Sequence, residues 1–560
     1  MSAAITAAAH GLKVLVTEKA ARFGGSTARS GGWVWIPCTS LAREWGIEDA
    51  PEAARALIQQ EAGEFFNAER VDAFLENGPR AIEFFLTKTA LRFDMPLVFP
   101  DYHAEKAGGV QGGRSMLSRP FDGRELGDRF KDLDRPLPEL TLFGMALGSG
   151  KEFVHFMNAT RSLPSAIYVA RRLSKHFFDL VRYRRGTRLS NGNGLAARLA
   201  KSAFDLGIDL WLNAPAAKLT VEDGKVVGAT IDRNGKPVKV KAVRGVVLAC
   251  GGFPNDVSRR RALYRHAPTG VEHTSPSSPN DTGDGFTLAE QIGAHLDNRL
   301  HHPAAWVPVS QPVRKDGSRG VMPHFIDRAK PGVIAVLKTG RRFVNEALSY
   351  HDFAQAMAAA CAQDSEVCSF LICDHKALRK YGLGCVPPFP MPIGRHLRTG
   401  YLMRGRTIEE LANVAGINAA ALAATIETFN EHAKIGQDPS YGKGTKAYNR
   451  FQGDALNAPN PCVAPIGTGP FYAVKLVMGD SGTYAGLAVD AHTRVLDGDD
   501  KPIQGLHAVG NDAVSVMGGS YPAAGTQLGP ALTFGYIAGQ LLANNASAEG
   551  ADGSVPKASS

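Results

Sequence analysis

Apolar residues recur every three or four positions between residues 41 and 95, at Ala53, Leu57, Phe65, Phe66, Phe74, Ile82 and Phe85, and predict a helical stretch. The chain opens on small residues that read as a helix closed by Gly11. LKVLVTE (12–18) follows, a buried strand that ends on an acid, Glu18. Between Ile208 and Cys250 short strands alternate with the turn sequences EDGK (222–225) and RNGK (233–236). They end in RGVVLACGGF (244–253), a buried strand with paired glycines behind it. NDTGDG (280–285) then turns into an apolar helix reaching Ala294. From about His301 to Met478 helices mix with irregular segments, the texture of an inserted domain. Strand-and-glycine texture returns in GDSGTYAGLAVD (479–490) and IQGLHAVGND (503–512). It leads into SYPAAGTQLGPALTFGY (520–536), a glycine-rich loop running into a helix over 531–543, with Pro530 preset for its first turn.

These elements predict an α/β protein, a Rossmann-like nucleotide domain split in sequence around an α+β insert. The expected boundaries are 1–300 and 479–545 for the two parts of the nucleotide domain, 301–478 for the insert, and 546–560 for a disordered tail. A length of 560 residues requires more than one core. Hydrophobic content of 44% with 21% charged residues fits a soluble chain. No apolar run approaches the roughly 18 residues of a membrane span, and no signal-peptide pattern is legible. Seven cysteines without a C-x-x-C pair point to a reduced, cytoplasmic chain with no zinc site. The net charge of +9 raises nucleic acid as a partner, but the basic residues are scattered among acids and no nucleic-acid module appears. At 171–188, however, seven basic residues interleave with Phe177, Phe178, Leu180 and Val181. That pattern fits a surface helix in peripheral contact with anionic lipid at the inner face of the membrane, with a solvated face as the alternative.

The candidate chemistry gathers at glycine-rich places. Helix, strand and terminal carboxylate form the second half of a βαβ dinucleotide unit, in which Glu18 would hold the adenosine ribose. No strand and no G-x-G-x-x-G precede that helix, so a missing N-terminal segment or a start placed too late is expected. Gly24, Gly25, Gly31 and Gly32, with Ser26, Thr27 and Ser30, offer N–H and hydroxyl donors suited to a pyrophosphate and a ribityl chain. No histidine lies between Gly24 and Gly32, so a flavin there is expected to be non-covalent. Asp284 is available to a ligand hydroxyl, and Tyr521 opens the last loop ahead of a helix end that favours negative charge.

EKAARFGGSTARSGG, GVVLACGGF, TGDG, GRRFVNE, GLHAVGND and SYPAAGTQLG, in this order, resemble the flavoprotein family of fumarate reductases and 3-ketosteroid dehydrogenases. The likeness runs from residue 1 to about 543. It implies an FAD domain split around a catalytic domain, with substrate between them against the isoalloxazine. The implied FAD contacts are Glu18, Lys19, Gly24, Gly25, Ser26, Thr27, Ser30, Gly31, Gly32, Ala216, Ala249, Cys250, Gly251, Asp284, Gly510, Asn511, Gln527 and Leu528. Fumarate reductases follow the RFVNE-like segment with an arginine proton donor, where this chain has Tyr350. They also carry histidine and arginine near the last flavin loop, where SGTYAG and SYPAAGTQLG have neither, so a second substrate carboxylate would go unpaired. The 3-ketosteroid Δ1-dehydrogenases place tyrosines in a P-D-Y loop, after an R-F-x-N-E segment, and at the start of Y-P-x-x-G. Tyr102, Tyr350 and Tyr521 stand at those positions, and Gly525 stands at the active glycine. The family's Y-P-G-P-G reads Tyr521-Pro522-Ala523-Ala524-Gly525 here, and related Δ4-(5α)-dehydrogenases carry serine at the place of Ala523. Regiochemistry therefore stays open between Δ1 and Δ4, with Tyr102 favouring the 1,2-position.

The activity implied by this resemblance is FAD-dependent 1,2-dehydrogenation of a 3-ketosteroid. The Tyr521 hydroxyl and the Gly525 N–H would polarise the ketone oxygen as an oxyanion hole does. Tyr350, helped by Tyr102, would take the adjacent proton, and flavin N5 would accept the hydride. A free phenol has a pKa near 10, so its proton must be lowered in pKa or shared for Tyr350 to act as a base. The partners implied are a 3-ketosteroid-like small molecule and an electron acceptor, with a quinone as a candidate. The alternatives are a Δ4-(5α)-dehydrogenase, a flavin reductase of an enone or acid, and a non-catalytic remnant lacking flavin.

Overall fold

The strand Leu15–Thr17 pairs in parallel with Asp209–Trp211, and Val246–Leu248 pairs in parallel with Pro502–Ala508. The second pair, whose strands lie on either side of residues 301–478, is what a nucleotide domain interrupted by an insert requires. The computed structural model describes residues 1–551 apart from Ser149 and Arg161. Both predicted turns in the 208–250 region join antiparallel strands, Ala216–Glu222 to Lys225–Arg233 and Arg233 onward to Lys236–Lys241. Asp223 with Gly224 and Asn234 with Gly235 all take positive φ, the geometry two-residue hairpin turns need.

The helical stretch expected over 41–95 divides into Ser40–Glu44, Pro51–Ala62 and Ala68–Lys88, with Phe65 and Phe66 in the break. Leu57, Phe74, Ile82 and Phe85 join Ile5, Trp35, Phe534 and Ile537 in one buried cluster. The opening helix Ser2–Ala9 lies against the last helix, and the Ser2 hydroxyl donates to the Ala531 carbonyl at 3.3 Å. That last helix runs Leu528–Ala551. Residues 546–551, expected in a disordered tail, therefore belong to it, and 552–560 lie outside the described residues.

The insert is built on a six-stranded antiparallel sheet of Ala304–Ser310, Met322–Pro323, Val333–Val336, Cys368–Asp374, Met403–Gly405 and Phe471–Thr483. Its long strand Phe471–Thr483 passes straight through the boundary expected at 478. The helices Ile408–Ala415 and Ala419–Ala433 pack in a cluster with Ile334, Phe370 and Ala473. The helix Tyr350–Ala360 packs with Ala304, Trp306, Leu371 and Val474 in another, through Phe353, Ala354 and Met357. Arg342, Glu346, Asp438 and Lys443 form a buried ion network at the foot of the segment leading to Tyr350, with Arg342 bonded to Glu346 at 2.8 Å and to Asp438 at 2.7 Å. The GRRFVNE motif is thus architectural: it fixes where that helix begins.

Candidate active site

Three phenols from distant segments meet where the insert faces the nucleotide domain. Tyr102 lies in a loop whose backbone N–H donates to the Pro522 carbonyl at 2.7 Å, so the first and last tyrosine loops are bonded main chain to main chain. Asp101, beside it, accepts from Trp35 Nε1 at 2.9 Å and from Arg114 Nη1 at 3.1 Å. Tyr350 is the first residue of the helix Tyr350–Ala360, capped by the Ser349 hydroxyl, which accepts from the Asp352 N–H at 3.1 Å. Tyr521 sits in the glycine-rich loop. There Gly525 has φ +100°, and a β-carbon on it would lie 2.6 Å from the Trp35 nitrogen, so only glycine fits.

The ring centroids are 5.7 Å apart for Tyr102 and Tyr350, 5.1 Å for Tyr350 and Tyr521, and 5.8 Å for Tyr102 and Tyr521. The Tyr102 hydroxyl donates to the Tyr350 hydroxyl at 3.4 Å. Tyr448 and Tyr484 complete the cluster, and Trp33, Phe99, Leu300, Val321 and Phe325 pack around it. Burial raises the pKa of all three phenols, with Tyr102 and Tyr350 held well above the ordinary value. At Tyr521 the Tyr350 hydroxyl, the Gly525 N–H and the Ser481 hydroxyl act against that rise. Tyr521 is therefore the best proton donor of the three. Of the two routes by which Tyr350 could serve as a base, a lowered pKa is absent and a shared proton is present.

A charged clamp holds these loops in register. His103 Nδ1 meets Glu61 Oε1 at 2.7 Å and its Nε2 meets Asp352 Oδ2 at 2.8 Å. Lys106 adds an ion pair to Glu61 at 2.8 Å, and the Ser520 hydroxyl donates to the Glu61 carbonyl oxygen at 2.8 Å. The neighbours of Tyr102 and Tyr521 are thus tied to Glu61 directly, and Asp352, near Tyr350, is tied to it through His103. The two carboxylates push the His103 imidazole up to about 10 despite its burial.

On the nucleotide side, Gly24 caps the short helix Gly25–Arg29, which carries Ser26 and Thr27. Ser26 Oγ donates to Asp281 Oδ2 at 2.5 Å, Ser30 Oγ donates to the Thr27 carbonyl at 2.8 Å, and Gly31 and Gly32 lead into the strand Trp33–Trp35. Glu18 follows the first strand, accepts from the Ala20 N–H at 2.9 Å, and has its carboxyl pushed upward by burial. Ala216 opens the strand that follows Ala214, whose N–H bonds the Glu18 carbonyl at 2.9 Å. Lys19 bonds Asp284 at 2.7 Å and Thr282 at 2.6 Å, so Asp284 is not a free acceptor but half of an ion pair. Ala249, Cys250 and Gly251 follow the strand Val246–Leu248, and the Cys250 N–H donates to the buried Asp512 carboxylate. Gly510 and Asn511 open the turn that carries Asp512. Gln527 and Leu528 stand at the head of the last helix.

A flavin fits this frame. Gln527 Nε2 is buried without a hydrogen-bond partner. Beside it, the backbone of Gly482 (φ +128°) comes so close that a β-carbon would lie 2.8 Å from that nitrogen. Gln527, Asn511, Thr483 and Tyr484 line one cavity there. A buried amide donor beside bare backbone suits the edge of a flat heterocycle with carbonyl acceptors.

A family model described as an FAD binding domain matches residues 1–528. The chain belongs to this family of FAD-binding flavoproteins. The flavoprotein is 40% identical, over 98% of its length and 92% of the relative, to the 4-oxocyclohex-2-ene-1-carboxylate 5-dehydrogenase of Sinomonas cyclohexanicum. It is 35% identical, over 98% of its length and 96% of the relative, to the 3-oxosteroid 1-dehydrogenase of Mycobacterium tuberculosis. The crystal structure of 3-ketosteroid delta1-dehydrogenase from Sterolibacterium denitrificans in complex with 1,4-androstadiene-3,17-dione is similar at a TM-score of 0.87 and 34% identity, over 97% of both chains. The flavoprotein is an FAD-dependent oxidoreductase.

Sequence reasoning located the three tyrosines and Gly525, and the structure brings them together. It missed Glu61, Asp352 and Ser481 beside them, and the buried acids Asp281 and Asp512 on the nucleotide side. Burial pushes Asp281 up to about 8 and Asp512 up to about 6. Asp281, Ser481 and Asp512 carried a signal, since they lie inside NDTGDG, GDSGTYAGLAVD and GLHAVGND, while Glu61 and Asp352 carried none.

Proposed function

We propose that the flavoprotein introduces a carbon–carbon double bond beside a ring ketone, acting on a 3-ketosteroid at its C1–C2 bond. The observation that carries this reading is the meeting of Tyr102, Tyr350 and Tyr521 with the Gly525 N–H in one buried aromatic cluster. Tyr521 donates to the ketone oxygen, and the Gly525 N–H adds a second donor to the same atom. The charge that this pair stabilises acidifies the adjacent C–H. Tyr350 takes that proton as its phenolate, which the Tyr102 hydroxyl stabilises by donating to it. FAD, when bound, supplies the acceptor for the hydride.

The purified flavoprotein, 4-androstene-3,17-dione and an artificial electron acceptor provide the test. Acceptor reduction with formation of the 1,4-diene-3-one is the expected result, and no reduction by FAD-replete protein overturns the reading. A second reading is favoured by the 40% identity to a dehydrogenase of a keto acid: the same chemistry on a six-membered ring bearing a carboxylate. Turnover of 4-oxocyclohex-2-ene-1-carboxylate at a higher kcat/KM than the steroid would establish that alternative.

A further inference from the structure

The helix Leu163–Tyr183 is inside out. Its buried positions are polar: Ser165, His176 and Asp179 are nearly inaccessible, and Arg172 lies beside them. Each has a partner in the protein. His155 Nδ1 and Ser165 Oγ are 3.1 Å apart, Arg172 Nε donates to Glu152 at 2.7 Å, and His176 Nε2 donates to the Phe143 carbonyl at 2.9 Å. Asp179 accepts from the Thr187 hydroxyl at 2.7 Å. The outward positions are apolar: Leu163, Ile167, Phe177, Phe178 and Val181 are between 48% and 87% exposed. At about 100° per residue these five side chains fall on one stripe, opposite the buried polar one. Ordinary surface helices have the reverse arrangement, and a contiguous exposed apolar stripe marks a face meant to be covered.

Charge decides what covers it. Arg171, Lys175, Arg182 and Arg184 are exposed along the same helix and at its end, and the only acid between 163 and 184 is the buried Asp179. An apolar stripe flanked by cations, with no exposed acid, is complementary to the acyl and headgroup boundary of an anionic bilayer. Among the described residues no helix is long and apolar enough to cross a membrane. The polar inner face is also committed to the protein, so this helix lies in the interface plane. We infer that the flavoprotein docks on anionic lipid bilayers through the outward face of Leu163–Tyr183, with Phe178 and Val181 inserted among the acyl chains and the four cations at the headgroups. This inference is independent of which ketone the active site takes.

The test is cosedimentation of the FAD-loaded protein with vesicles of phosphatidylcholine containing a minor share of phosphatidylglycerol, and with vesicles of phosphatidylcholine alone. Binding to the anionic vesicles that weakens at high salt is expected, with little binding to the neutral ones. The double variant Phe178→Asp/Val181→Asp should lose at least tenfold in vesicle affinity. Lys175→Glu/Arg182→Glu should lose more than tenfold, from roughly fivefold for each cation removed. Both variants should keep the wild-type flavin absorbance and turnover of dissolved substrate, because none of the four side chains is part of the active site. Protein that stays in the supernatant with anionic vesicles at low salt overturns the proposal, as does equal binding to neutral vesicles. A wild-type dimer that the Phe178→Asp/Val181→Asp variant dissolves would show that a second copy of the chain covers the stripe, and would overturn it too.

Discussion

His103 donates through Nε2 to Asp352 Oδ2 at 2.8 Å, joining the residue after Tyr102 to the residue two beyond Tyr350. The second ring nitrogen is used on Glu61, so the imidazole is a cation between two carboxylates and not a proton shuttle. Replacing it by glutamine, His103→Gln, leaves two poorly compensated buried acids and should cost about 3–5 kcal/mol of stability. The pH dependence has a definite sign. His103 has a folded pKa raised to about 10, so its contribution is complete below the unfolded value near 6.5 and disappears as pH rises towards 10. Glu61 and Asp352 are lowered, so their contributions exist at neutral pH and disappear on acidification. Urea unfolding at pH 6 and pH 10 should show the gap between wild type and His103→Gln shrinking by more than half. An unchanged gap would mean that the clamp acts by shape alone.

Tyr350 is held well above the ordinary phenol pKa by burial. The logarithm of kcat/KM should therefore climb with a slope near one from pH 7 towards pH 10, with no plateau below pH 8. Tyr350→Phe should reduce turnover by at least about 10³-fold while the flavin band stays intact. A flat profile, or an active Tyr350→Phe variant, would remove it as the base.

Removing the ketone donor should be as informative as removing the base. Tyr521→Phe should lower kcat by about 10²–10³-fold, the range for losing one donor of an oxyanion hole. The damage should appear in kcat more than in KM, which steady-state kinetics separates. Gly525→Ala should fail more broadly, since its added methyl would meet the Trp35 nitrogen at 2.6 Å.

Glu18 can be tested without any substrate. Its carboxylate ends the first strand and is partly withdrawn from water. If it holds the adenosine ribose, Glu18→Ala should weaken FAD binding by about 10–100-fold, the equivalent of one to two charge-assisted hydrogen bonds at the low end of their range. Fluorescence titration of FAD into flavin-stripped protein measures this. Equal affinity would place the ribose elsewhere.

Much of this site was legible because glycine-rich motifs and tyrosines sit in short contiguous stretches. The hairpins at Asp223–Gly224 and Asn234–Gly235 were legible for the same reason, since two residues decide each turn. The clamp was not, because Glu61, His103, Asp352 and Ser520 come from four segments and none is unusual in its own surroundings. Asp284 read as a free acceptor because its partner, Lys19, lies on a different strand end. The helix continues past the boundary expected at 546 as far as Ala551, from a part already anchored on the opening helix. The inverted helix was half legible: its basic and aromatic residues were visible from 171 onward, but which face turns inward is decided by Glu152, Phe143 and Thr187 in neighbouring segments.

The hydroxyl pair of Tyr102 and Tyr350 spans 248 residues of chain, and Tyr521 lies 171 residues beyond, from positions 350 and 521. Contacts this remote close large loops, and the entropy of doing so must be met before any of them is rewarded. During synthesis the pair cannot form until the chain has passed Tyr350, and Tyr521 arrives only just ahead of the final helix. No sub-domain of this protein holds a working centre by itself. Catalytic competence should therefore be the last property gained on the ribosome and the first lost on heating, which makes turnover a sensitive reporter of whole-chain integrity.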